Sequence, residues 1–125
     1  MSHEDRDRLF GILHSLAEKS GSELESGFTE PNVLAVRELV TQFLVGCELP
    51  AEFTAASFAD AVYELRANER AWSRRLGDTI IAAEDKLQVG DKDGAIAVLD
   101  DYAEQCPWLS LREIAEIEKE NFRRP

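Results

Sequence analysis

Acidic side chains dominate the chemistry this chain has to offer. It carries 25 Asp and Glu against 14 Lys and Arg, a formal net charge of −11 over 125 residues. Between residues 76 and 122 stand twelve acids and only four bases. On the helix expected after Gly90, Asp93, Asp100, Asp101 and Glu104 point away from the apolar stripe of Ile96 and Leu99. On the helix expected near the C-terminus, Glu113, Glu116 and Glu120 share one face through their i, i+3, i+7 spacing. Carboxylates displayed in this way repel phosphate backbones and anionic lipid. They speed the approach of a cationic protein. These seven acids are therefore the expected partner-binding residues, with neither direct nucleic-acid nor membrane binding expected. The plain alternative is a solvated helix face, the commoner fate of such charges.

The remaining reactive groups are sparse. Arg66, Arg70 and Arg74 recur at i, i+4, i+8, with Arg75 beside them, and make a basic stripe. Exposed ion pairs are worth only about 0–1 kcal/mol each, so the stripe is expected to serve internal pairing, with Glu69, Asp78 or a neighbouring helix, before any partner or second copy. His3 lies at an end expected to fray, and His14 has no nearby Cys or His where zinc would need three or four ligands. Cys47 and Cys106 form no CxxC and are expected as reduced thiols. Neither a nucleophile elbow nor a phosphate-binding glycine loop occurs. Adjacent pairs such as Glu84-Asp85 diverge on a helix and make no catalytic dyad. A non-enzyme without metal or cofactor is expected.

The elements that must position these groups are helices. Leu9, Ile12, Leu13 and Leu16 mark a first helix from about Glu4 to Lys19, ended by Ser20-Gly21-Ser22. Residues 20–30 read as a loop. Thr29-Glu30-Pro31 starts a second helix, carried by Val33, Val36, Val40, Phe43 and Leu44 and closed by Gly46 and Pro50. From Phe53 to Val89 one apolar phase persists through Phe58, Val62, Leu65, Trp72, Leu76, Ile80, Ala83 and Leu87. A helix of that length is rare in a compact domain, so a break is expected near Asn68 or Gly77-Asp78. Gly90 and Asp91 then end one helix and cap the next, which Ala95, Ile96, Leu99, Tyr102 and Ala103 anchor. Cys106-Pro107 stops it. A last helix from about Ser110 to Phe122 has Leu111, Ile114, Ala115 and Phe122 on its inner side. No stretch alternates with period two. The expected fold is all-α, a single domain of five or six helices in a compact bundle with a C-terminal antiparallel helix hairpin.

Two resemblances attach to the C-terminal half. Gly90-Asp91, Ala95, Leu99 and Pro107 resemble in spacing the second half of a tetratricopeptide unit, where Gly-Asp makes the turn and Ala lets two helices approach. Ala83 fits that pattern, but Thr79, Ala82 and Lys86 do not, and no second copy is visible; a generic antiparallel hairpin is the expectation. The segment Cys106-Pro107-Trp108-Leu109-Ser110-Leu111-Arg112-Glu113-Ile114-Ala115, behind that hairpin, resembles the C-terminal part of small acidic bacterial immunity-type proteins. The likeness spans roughly residues 70–122. It implies a single-domain inhibitor that binds one cognate toxin, expected to be basic, with a nuclease domain among the fitting kinds. The charged start, Met1 to Arg8, lacks the apolar run of a signal peptide, and a cytoplasmic location is expected. The competing reading is a helical adaptor, similar to a tetratricopeptide protein, holding a peptide or helix in a groove that exposes Tyr102 or Trp108. Trp108 itself is expected to anchor the core.

Overall fold

A computed structural model describes residues 3–124, the side chain of His3 excepted; the backbone of His3 is helical, and the rest of the end expected to fray lies outside the described residues. The structure is all-α. Six helices are present among the described residues, without a strand: α1 (His3–Ala17), α2 (Gly21–Ser26), α3 (Glu30–Phe43), α4 (Ala55–Gln88), α5 (Lys92–Gln105) and α6 (Leu109–Arg123). They gather into two compact units, residues 1–68 and 69–125, and α4 contributes a segment to each.

In the first unit, Leu9, Leu13 and Leu16 of α1 and Val36, Leu39 and Val40 of α3 are buried, together with Phe58, Val62 and Leu65 of α4. These are the positions that the 3–4 spacing marks as one helix face. The span expected as loop contains α2. Its signal is Ser20-x-x-Glu23, the sequence form of a capping box, though the Ser20 hydroxyl makes no cap bond to the helix backbone and donates instead to Glu23 Oε1 at 2.8 Å. That hydroxyl and the Ser20 backbone hold the Glu23 carboxyl below its ordinary pKa. Leu24 then seats fully in the core. At α3, Thr29 caps the helix by accepting from the Asn32 N–H, with proline in the first turn.

The break expected near Asn68 or Gly77-Asp78 does not occur; α4 runs unbroken for 34 residues. A helix ends where its polar groups find better partners outside it, and here they do not. Thr54 and Ser57 cap its start reciprocally, Ser57 N donating to Thr54 Oγ1 at 3.1 Å and Thr54 N to Ser57 Oγ at 2.8 Å. Thr79, the residue after Asp78, donates its hydroxyl back to the Arg75 carbonyl at 2.6 Å, inside the helix. A single Gly77 costs only about 1 kcal/mol against alanine, less than the apolar stripe on either side returns on burial.

The second unit comprises the α4 segment from residue 69, α5 and α6. Its turn follows the Gly-Asp pattern. Gly90 has φ +81°, a region that disfavours side chains, and the Asp91 N–H reaches back to the Lys86 carbonyl at 2.8 Å. Asp91 Oδ1 accepts from the Gly94 N–H at 2.9 Å, a cap of a kind worth about 1 kcal/mol. A Cβ at position 94 would crowd that carboxylate as it stands, so a larger residue there would require the Asp91 side chain to shift. Ala83, Ala95 and Leu99 form the buried centre, with Ile80, Leu87 and Phe122 packed against it. The two small alanines bring α4 and α5 close. α5 and α6 are antiparallel, tied at one end by Lys92 Nζ on the Arg123 carbonyl at 3.1 Å and at the other by Arg112 Nε on the Cys106 carbonyl.

Candidate functional site: the acidic faces of α5 and α6

The core side of α5 is Ala95, Leu99, Tyr102 and Ala103, all buried. One hundred degrees per residue then turns Asp93, Asp101 and Glu104 to the opposite side, where all three are exposed. Of these, Asp101 accepts from Gln105 Nε2 at 3.1 Å. On α6, Ala115 and Lys119 face inward, while Glu113, Glu116 and Glu120 are exposed.

Asp100, Glu116 and Glu120 each meet a cation of their own unit. Lys119, only 6% exposed, directs its ammonium to Asp100 of α5 and to Glu116 of α6, the latter at 2.9 Å. Glu120 pairs with Arg123 at 2.7 Å. Asp100, Glu116 and Lys119 are therefore a clasp between the two helices. Asp93, Asp101 and Glu104 stand exposed on α5, and Glu113 stands exposed on α6. The charge count also changes once the unit is seen whole: Arg70, Arg74 and Arg75 at one end and Arg123 and Arg124 at the other belong to it.

One expected core position is corrected. Ile114 is 42% exposed, and Ile117 beside it 53%. The inner stripe of α6 runs through Leu111, Ala115, Lys119 and Phe122, which places Ile114 on its flank and Ile117 outside. The outer face of α6 is thus two isoleucines among glutamates. The signal was there in Ile114 and Ile117 at i, i+3 between Glu113, Glu116 and Glu120. It was missed because isoleucine is read as core by default. Lys119 was missed for the converse reason, although it lies four residues after Ala115, on the same stripe. Tyr102 and Trp108, the residues an adaptor groove needed exposed, are both buried; Tyr102 donates its hydroxyl to the Trp72 carbonyl at 2.8 Å.

The clasp has a pH signature. Lys119 holds the Asp100 carboxyl below its ordinary pKa, and Asp100 with Glu116 raises that of Lys119. A depressed carboxylate stabilises above its unfolded value, near 4, and loses that contribution as pH falls through the folded value. A raised lysine stabilises below its unfolded value, near 10.4, and loses the contribution as pH rises through the folded one. Lys119→Met should lower Tm by about 2–5 °C at neutral pH, and the gap to wild type should close below about pH 4 and above about pH 10. A gap constant from acid to alkali in thermal scans would assign the loss to packing alone.

The rest of the inventory is structural in its contacts. Arg66 meets Nε2 of His14 at 3.1 Å, and Arg75 stacks on Trp72 at 4.0 Å and reaches Gln105 at 3.4 Å. Both thiols are free; burial pushes that of Cys47 up. The first unit carries a groove of about 480 Å³ along Phe28, Val33, Leu34 and Phe53 and a second of about 430 Å³ beside Val40, Leu44 and Cys47. Arg37 borders both, its guanidinium bound to the carbonyls of Pro50 and Ala51 at 2.7 and 3.0 Å and lying 4.7 Å from the Phe53 ring centre. Among the described residues, no three His, Cys, Asp or Glu side chains converge as metal ligands, and no helix is long and apolar enough to cross a membrane. Comparison with protein-family models, with curated proteins and with solved structures finds no match.

Proposed function

We propose that this chain is a binding protein of the immunity type, which docks on a basic toxin domain through the acidic faces of α5 and α6 and neutralises it in the cytoplasm. The observation that carries this reading is the outward row of Asp93, Asp101, Glu104 and Glu113, with Ile114 and Ile117 exposed beside the glutamates of α6. Apolar contact supplies affinity at the centre of an interface, and charge supplies steering and selection. An apolar pair among carboxylates fits a partner surface of aliphatic groups ringed by Lys and Arg. Asp100 and Glu116 contribute less to that field, because Lys119 already answers them.

The test begins with co-purification: the tagged chain should recover a toxin domain encoded beside its own gene and protect cells that express it. Asp93→Lys, Asp101→Lys and Glu104→Lys together, with Asp100 left in place to spare the clasp, should slow association with that domain by about 10–100-fold at low salt. The difference should shrink as salt screens it. Recovery of no such domain, or an association rate unmoved by the three reversals, would sink the proposal.

A further inference from the structure

The α4 segment of the second unit turns Leu76, Ile80, Ala83 and Leu87 toward the core. A stripe on its flank, about a hundred degrees round the helix from the core, holds Arg70, Arg74, Gly77, Ile81, Glu84 and Gln88, every one exposed. Their separations alternate four and three, the spacing of a seam between two paired helices. Among the described residues, little engages this seam. No ion pair or hydrogen bond of a described residue engages the side chains of Arg70, Arg74, Glu84 or Asp85. Ile81 is 59% exposed. A Cβ on Gly77 would meet no atom within 4 Å. A glycine there costs the helix about 1 kcal/mol against alanine, and no close approach of a described residue requires it.

We propose that a second copy of this chain docks here, α4 against α4, antiparallel about a two-fold axis that crosses the seam at the level of residue 79. The charge order along the seam selects that occupant: arginines occupy its N-terminal end and carboxylates its C-terminal end. The antiparallel register sets Arg74 opposite Glu84 of the second copy, Arg70 opposite Gln88 with Asp85 adjacent, and Ile81 opposite Gly77. The glycine is then the hole that receives an isoleucine, and the symmetry makes each contact twice. A parallel pair would set arginine on arginine and glutamate on glutamate, and is disfavoured. A single seam this short belongs to the weak, transient class of interfaces.

Sedimentation velocity on the full chain should show the mass rising from monomer to dimer between about 10 µM and 1 mM, the range expected of so small a contact. Arg74→Glu and Glu84→Arg alone should each weaken assembly by about tenfold or more, and the two together should restore it. Gly77→Leu should weaken it to a similar degree while helical ellipticity holds. Should either reversal disturb folding, Arg74→Gln and Glu84→Gln give the same comparison without like charges. A chain that stays monomeric throughout, or a dimer indifferent to α4 charges, overturns the inference. So does a double variant that fails to recover while folded. A dimer abolished instead by reversing Glu113 and Glu120 would place the contact on α6 and equally overturn it. The outcomes on α4 leave the proposed toxin face on α5 and α6 untouched, whereas a dimer through α6 would cover part of it.

Discussion

Trp108→Ala should lower the unfolding free energy by about 3–5 kcal/mol, the cost of emptying a fully buried large aromatic site. Trp108 is wholly inaccessible to solvent and occupies the joint where α5 ends and α6 begins. Its carbonyl accepts from the Leu111 and Arg112 N–H groups at 3.1 and 3.0 Å, starting the helix. Pro107 before it and the Arg112 side chain on the Cys106 carbonyl leave the joint little freedom to collapse into the cavity. Against a total stability of roughly 5–15 kcal/mol for a domain, the loss separates a folded population from a failing one. Urea denaturation followed by far-ultraviolet ellipticity measures it. Trp108→Phe, which keeps most of the volume, should cost less than half as much. A loss under about 1 kcal/mol for the alanine variant would mean that the side chain is dispensable to the core. Because the indole is hidden, folded Trp108→Ala should bind a partner as wild type does.

Phe58→Ala should have a comparable effect in the first unit, about 3–5 kcal/mol. Its ring is fully buried with the rings of Phe28 and Phe53 each 5.6 Å away, centre to centre. Aromatic pairs at such separations add about 0.5–1.5 kcal/mol beyond the area they bury, so two contacts are lost with the ring. Phe53 also carries the Arg37 guanidinium, and Phe28 and Phe53 border one of the grooves. Phe58→Leu, which retains bulk without the ring, should cost roughly 1–2 kcal/mol. Thermal unfolding of the three proteins should therefore rank wild type, leucine, alanine. Equal losses for both variants would show that ring geometry, not volume, sets the stability of this cluster.

Much of the fold was legible because it rests on local rules. The Gly90-Asp91 turn, the Thr29 cap with Pro31, and the stop at Cys106-Pro107 each depend on residues within five positions of one another. Phe58, Val62, Leu76, Ala83, Leu99 and Tyr102 could be placed inside from spacing alone, since a helix repeats its faces whatever packs on them. The acids of α5 could be placed outside for the same reason. Where local signals competed, balance decided against the expected break. Gly77 and Asp78 are weak stops, and a continuous apolar stripe outweighs them.

The amino-acid order by itself determined an all-helical chain, its turns, and a surplus of carboxylates on its last two helices. Only the tertiary structure decided which of those carboxylates are answered from within, because Asp100 and Lys119 lie nineteen residues apart and meet solely when α6 folds back on α5. It likewise decided that Ile114 and Ile117 stay in water while Lys119 goes in, and that Arg66 and Arg75 are spent inside their units while Arg70 and Arg74 are not. Period alone marks which positions share a face. Whether a neighbour arrives to cover that face, and with what charge, depends on contacts between residues far apart in the chain.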